Sequence, residues 1–256
     1  MLILSGFLVG LLVGLTGVGG GALMTPLLLL VFGIAPVTAI GTDLWFAAIT
    51  KIAAGKIHHS KGLIDWQVLR YMWVGSLPAS LVMILCLHFK IISANVHFLT
   101  TLVAIAITVT AVSLLMQKYL HQLGRFLRLQ NTERFKQWQP SLTILAGIIL
   151  GSLVTLTSIG AGAIGVVMLT YLYPLRLTTP RLVATDIMHA IPLTVIAGTG
   201  HLLLGNINFD LLIWMLCGSI PGVLIGATIS GKISQGILRI ILAAVLILVA
   251  IKIAYS

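Results

Sequence analysis

A chain of 256 residues that is 59% hydrophobic and 8% charged, with a mean hydropathy of +1.15, has too little polar surface for a water-soluble domain. It reads as all-α, a polytopic helical membrane protein. The net charge of +10 does not point to nucleic acid, because the basic residues are strung between apolar runs rather than gathered on one domain. Much of the excess is the Lys and Arg of cytoplasmic loops, and a part draws anions towards a pore.

The run from Leu2 to Val31 carries no charged residue. It lacks the basic start of a cleaved signal peptide, so it is expected to belong to the mature fold. Thr16-Gly17-Val18-Gly19-Gly20-Gly21 interrupts it. Each glycine costs about 1 kcal/mol relative to alanine inside a helix, so the cluster predicts unwound backbone between two short helices. Unwound backbone survives at membrane depth only where protein buries it or a cavity adjoins it. Its amides, with the positive end of the next helix, suit an anion. Gly17, Gly19, Gly20 and Gly21, with the Thr16 hydroxyl, are therefore candidate substrate ligands. Glycine also serves close helix packing in membranes, and that competing reading stands for any single cluster.

A turn at residues 33–36 leads into an apolar segment, Val37 to Ala54, that holds Asp43 and Lys51. Asp43 reads equally as a helix cap or as a functional acid, since an ionisable group in the membrane is expensive. Lys51, near a helix end, is expected to snorkel to the interface, with contact to an anion as the alternative. A loop is expected from Gly55 to Asp65, with Asp65 as N-cap of a helix from Trp66 to Leu87. Val96 to Met116 reads as an uninterrupted span. Residues 117–140 form the one long polar stretch, with five Lys and Arg against Glu133. Its spacing suggests an amphipathic surface helix on the cytoplasmic side.

The second part replays the first. His58/His201, Pro78/Pro221 and Asp43/Asp186 share an offset of 143 residues, and Gly19/Gly160 one of 141. The domain reading is therefore a first repeat over 1–116, a linker over 117–140 and a second repeat over 141–256. The loop at 55–65 is basic where its equivalent is not, and the turn at 175–181 is basic where its equivalent is not. Equivalent loops of opposite bias predict inverted repeats, with both termini outside.

Thr157-Ser158-Ile159-Gly160-Ala161-Gly162 echoes the first glycine cluster. Broken helices at matching places in two halves point to a transport site. Thr157, Ser158, Gly160 and Gly162 join the candidate substrate ligands. Asp186 and His189, at i and i+3, form a candidate proton-coupling pair, with Asp43 as a further member. The competing role is a satisfied pair that fixes packing. His58 and His201 share a Gly-x-x-His-x-x-x-Gly frame, which suits a helix C-terminus or a pore mouth. Cys86 and Cys217 match no metal spacing. No phosphate-binding loop occurs, so no cofactor or metal is expected. Ser158 with His201 could suggest an intramembrane hydrolase, but no nucleophile elbow surrounds the serine.

The set Gly17-Val-Gly-Gly-Gly, Pro36-x-x-Ala-Ile-Gly-Thr42, Gly62-x-Ile-Asp-Trp66, Ile159-Gly-Ala-Gly162 and Ala184-Thr-Asp-Ile-Met-His-Ala-Ile-Pro192 resembles the sulfite exporter TauE/SafE family, also called the 4-toluene sulfonate uptake permeases. The resemblance covers essentially the whole chain. It implies a secondary transporter in the bacterial inner membrane for sulfite, a sulfonate or a related anion. The partners it implies are that anion, protons and the bilayer. Family members commonly carry Thr-Ser where this chain has Thr42-Asp43. An extra acid at that place implies proton coupling or a less usual substrate. An anion channel and a cation transporter are the rival functions.

Overall fold

The computed structural model describes all residues except 17–20, 61, 93–94, 131, 230–234 and 255–256; for Thr16, residues 56–60 and ten other helical positions it describes the backbone alone. Among the described residues, ten helices follow one another: α1 (Leu2–Thr16), α2 (Gly21–Leu30), α3 (Pro36–Ser60), α4 (Trp66–His88), α5 (Val96–Gln130), α6 (Thr132–Thr157), α7 (Ala163–Leu172), α8 (Thr179–Leu203), α9 (Phe209–Ile229) and α10 (Gln235–Ala254). Among the described residues, six helices are long and apolar enough to cross a membrane, and α1, α2 and α7 are shorter apolar pieces. The all-helical architecture is the one composition predicts.

The five helices of each half pack in matching ways. The first helix of each half lies against the fourth helix of the other, α1 on α9 and α6 on α4, while α3 packs on α8 and α5 on α10. The match extends to single atoms. A Cβ on Gly6 or Gly147 would collide with the carbonyl oxygen of Met215 or Met72 respectively, and one on Gly10 or Gly151 with that of Ser219 or Ser76. These are small residues spaced four apart, the pattern that lets membrane helices approach to backbone contact. They carry the 141-residue offset on α1/α6 and the 143-residue offset on α4/α9.

The same duplication ties α3 to α8. The backbone N–H of Asp65 donates to Thr185 Oγ1 at 3.1 Å, and that of Asn208 donates to Thr42 Oγ1 at 3.1 Å. Each N-cap then accepts from the third residue of its own helix, Asp65 Oδ1 from Val68 N–H at 3.2 Å and Asn208 Oδ1 from Leu211 N–H at 3.0 Å. Asp65 is thus the N-cap its sequence predicts. The first turns of α3 adjoin the residue pair after α8, and the first turns of α8 adjoin the residues after α3, so the two helices run antiparallel. Gly62 and Gly205 both take positive φ, +63° and +75°, which closes equivalent turns after α3 and α8.

Two expectations need correction. The segment from Gly55 is not a loop, because α3 continues to Ser60. Gly55 is there for contact: a Cβ on it would lie 2.9 Å from Ile191 Cδ1 of α8. Nor is the polar stretch a separate surface helix. Its Leu, Gln, Lys and Arg are good helix formers, and α5 runs on through it to Gln130 before α6 begins. It docks on the end of α7: Gly124 meets the Tyr171 backbone, Gln117 Nε2 donates to Thr170 Oγ1 at 3.4 Å, and Gln139 donates to the Leu172 carbonyl.

The largest buried apolar cluster joins Ile40 and Leu44 of α3, Val103 and Ile107 of α5, Ala190 and Leu193 of α8, and Ile159 and Ala161 between α6 and α7. It surrounds the second interruption.

Candidate functional site

The second interruption is a break in the helix. α6 ends at Thr157, α7 starts at Ala163, and the five residues between are not helical. Gly160 and Gly162 have φ of +116° and +131°, which side-chain-bearing residues rarely adopt. Ser158 has φ of +60° and is buried, a non-glycine residue in the left-handed region, where strain tends to mark functional backbone. Thr157 closes the helix end with its hydroxyl: Oγ1 donates to the Leu153 carbonyl at 2.7 Å and accepts from Ile159 N–H at 3.1 Å. That hydroxyl is engaged locally, whereas Ser158 Oγ is buried with no hydrogen-bond partner.

The first glycine cluster reaches the second. Gly21 is the first residue of α2, and a Cβ on it would collide with the Ser158 carbonyl oxygen and lie 3.3 Å from Ser158 Oγ. The start of α2 therefore packs directly on the α6–α7 break. Gly17, Gly19 and Gly20 lie outside the described residues, as does the Thr16 side chain.

Three charges converge there. Asp43, on α3, is fully buried. Thr25 Oγ1 of α2 donates to its Oδ2, its Oδ1 has no partner, and the Ser158 side chain is close by. Lys51, two turns further along α3, is 4% exposed, and its Nζ donates to the Ala161 carbonyl inside the break at 2.9 Å. Asp186 of α8 is buried beside the start of α7, with Oδ1 unpartnered. Gly165 makes room for it, since a Cβ there would meet that same oxygen. Both carboxylates act electrostatically on the Lys51 ammonium.

Lys51 thus corrects the snorkelling expectation. Its side chain is buried and its head group is bonded to the Ala161 carbonyl in the protein interior, so it does not reach out to the interface. The signal that could have found it is the run itself: with α3 read to its true end, Lys51 falls in mid-helix, two turns from Asp43 and on a similar face.

The histidines separate. His189 is fully buried, but its Nε2 meets Ser76 Oγ of α4 at 2.9 Å, and Trp73 Nε1 donates to its carbonyl at 3.3 Å; the structure gives it Ser76 rather than Asp186 as partner. His201 is buried in the last turn of α8, with Nε2 bonded to the Thr155 carbonyl at 3.0 Å. It lines a cavity of about 240 Å³ with Val37, Leu87, Leu99, Leu156 and Asn206. Its ring therefore meets the α6 backbone rather than Ser158, which removes the geometry of a serine–histidine hydrolase. The His58 side chain lies outside the described residues.

A second ionic group sits at the far end of α3. Arg176 Nε and an Arg176 terminal nitrogen donate to the two Asp65 oxygens at 2.7 and 2.8 Å, and Arg181 approaches to 3.6 Å. The repeat equivalents of these arginines are Gly33 and Thr38, and that of Asp65 is Asn208. The clip therefore closes one end of the α3–α8 pair with charge, while the other end carries only the neutral Asn208–Thr42 bond.

Apolar helices that expose their outer faces, a helix broken at membrane depth, and a charged cluster enclosed at that break define a membrane transporter. Comparison with known proteins agrees. The model of the family described as "Sulfite exporter TauE/SafE" matches residues 2–253. The "Probable membrane transporter protein YjnA" of Bacillus subtilis (strain 168) is 38% identical over 238 residues, covering 90% of this chain and 89% of that protein. The "Probable membrane transporter protein YdhB" of the same organism is 28% identical over 240 residues, covering 89% and 88%. No solved structure matches. The chain belongs to the sulfite exporter TauE/SafE family.

Proposed function

We infer that this protein is a secondary transporter that carries a small sulfur-containing oxyanion, such as sulfite or a sulfonate, across the cytoplasmic membrane, and that the anion binds where the start of α2 meets the α6–α7 break. The observation that carries this reading is the contact of Gly21 with Ser158 beside three buried charges. Unpartnered polar atoms cluster there (Ser158 Oγ, Asp43 Oδ1, Asp186 Oδ1). Buried polar groups without partners are expensive, and a ligand or water supplies what they lack. The amides that begin α7 would hold the anionic oxygens, with Lys51 and the Ser158 hydroxyl adding donors. The antiparallel α3–α8 pair and the repeated glycine contacts support inverted repeats, whose alternating access rocks one half against the other. The clustering of Asp65, Arg176 and Arg181 supports a cytoplasmic placement for that end.

The two carboxylates by themselves would suit a cation. Lys51 argues against that reading, because an ammonium already supplies the positive charge they attract. The test is flux in proteoliposomes that contain the purified full chain. Saturable sulfite or methanesulfonate uptake driven by an imposed pH gradient is expected. Flux of a metal ion with none of either anion would refute the reading, and unsaturable single-channel conductance would replace it with a channel.

A further inference from the structure

The charges at the break limit what the site can hold. Lys51 contributes one positive charge, Asp43 and Asp186 two negative ones, and all three are buried. An unbalanced charge in such surroundings costs several kcal/mol, so the cluster settles at neutrality. Among the described side chains, the other titratable groups on the helices packed around it do not alter the count. α2 has none and α7 only Tyr171. His189 is bonded to Ser76 through Nε2, and its buried Nδ1 has no partner; a charged imidazolium would leave that N–H unsatisfied. His201 is bonded to the Thr155 carbonyl, also with Nδ1 unpartnered. Asp65 is neutralised by its arginines at the end of α3. Arg70, His88, Lys118 and Asp210 are exposed.

Without substrate, neutrality requires one proton shared by the two carboxylates. An entering monoanion brings one more negative charge, and protonation of the second carboxylate restores balance. A dianion would need a further proton, and no acceptor remains for it. We propose that the site takes up one proton with each anion and selects monoanions over dianions, with Lys51 as its fixed positive charge. The geometry supplies a reason for the exchange. Asp186 Oδ1 occupies the place a Cβ on Gly165 would take, in the first turn of α7, and has no hydrogen-bond partner, so protonation of Asp186 removes a negative charge from the helix start that receives the substrate. This proposal rests on the transporter reading above.

Methanesulfonate and sulfate are tetrahedral, similar in size and differ by one charge, so they form the test pair. Calorimetric titration of the purified full chain should show methanesulfonate binding that weakens about tenfold per pH unit as the pH rises, the linkage of one proton to one anion. Sulfate should bind more weakly by on the order of a hundredfold. In the double variant Asp43→Asn/Asp186→Asn, Lys51 alone balances the monoanion, and the pH slope should vanish while binding persists. Lys51→Gln should lose binding, and Lys51→Arg should restore part of it. A purely structural lysine would not alter the pH slope or the charge selectivity. Should Lys51→Gln fail to elute as a folded species, the double variant and Lys51→Arg carry the test. A flat pH dependence in the wild type, equal binding of sulfate, or methanesulfonate that fails to bind a protein able to carry sulfite would each overturn the proposal and leave the transporter reading standing. Absence of flux for every anion would overturn both.

Discussion

The glycine contacts that pair the two halves allow one perturbation to be made twice. A Cβ on Gly151 would lie 2.8 Å from Ser76 Cα and 2.9 Å from its carbonyl carbon, besides striking the oxygen; a Cβ on Gly10 would meet the same atoms of Ser219 at 2.7 and 2.9 Å. All of these are backbone atoms of a packed helix and cannot rotate away, so α6 must move off α4, or α1 off α9. Overpacking of this kind costs about 1–3 kcal/mol, partly offset by the better helix propensity of alanine, about 1 kcal/mol. Several backbone clashes at once place the cost at the upper end, a net of about 2 kcal/mol, which for a chain of this size predicts a fall in Tm of roughly 4–8 °C. Gly10→Ala and Gly151→Ala should fall by similar amounts, measured by thermal unfolding of the detergent-solubilised protein. Gly151→Ala should also lower transport more than Gly10→Ala does, because Ser76 holds His189 Nε2 at 2.9 Å and Ser219 has no histidine opposite it. Unchanged Tm in both variants would refute the close approach, and a large loss in one with none in the other would refute the structural equivalence of the halves.

Further outcomes follow from single sites. Gly165→Ala places a Cβ on Asp186 Oδ1; the protein should remain folded while anion flux falls at least about tenfold, as a side-chain displacement of this order is costly at a positioned site. Asp65→Ala removes both a cap and an ion pair and should cost more stability than Asn208→Ala, which removes a cap alone at about 1 kcal/mol. Because Arg176 is 38% exposed, its pair adds only about 1 kcal/mol to that difference, read as a Tm gap between the two variants. Equal losses would show that the clip contributes nothing. Gly160→Ala, at a φ of +116°, should destabilise by roughly 1–3 kcal/mol, whereas Ile105→Val on the outer face, 52% exposed, should change Tm within error.

Much of the fold was legible because the relevant physics is local or periodic. Long uncharged runs mark helices in a bilayer, and the constant offset that links Asp43 to Asp186 also links the α4 and α9 residues of the matching α6–α4 and α1–α9 contacts. The α6–α7 break was legible too, because Gly160 and Gly162 are placed where only glycine tolerates the backbone. What the sequence concealed lies in helix continuity and long-range contact. Gly55 looked like a turn residue, yet its missing side chain serves Ile191 across a helix interface. The polar character of residues 117–130 described a surface, but not that the surface belongs to a continued α5. Lys51 was misjudged for the same reason: ending α3 early put it at an interface. His189 illustrates the other limit. The i+3 spacing from Asp186 showed a shared face, while Ser76, a partner 113 residues away, decides where its ring is held.

The claim that the anion binds where the start of α2 meets the α6–α7 break can be tested at Ser158, whose side chain is buried there without a partner. In a Cys86→Ala/Cys217→Ala background, Ser158→Cys would be labelled with a small methanethiosulfonate reagent during turnover, with and without sulfite's stable analogue methanesulfonate. The account predicts that the transported anion slows modification of this cysteine in proportion to its occupancy. A labelling rate indifferent to saturating anion, in a protein that still transports it, would place the binding site elsewhere.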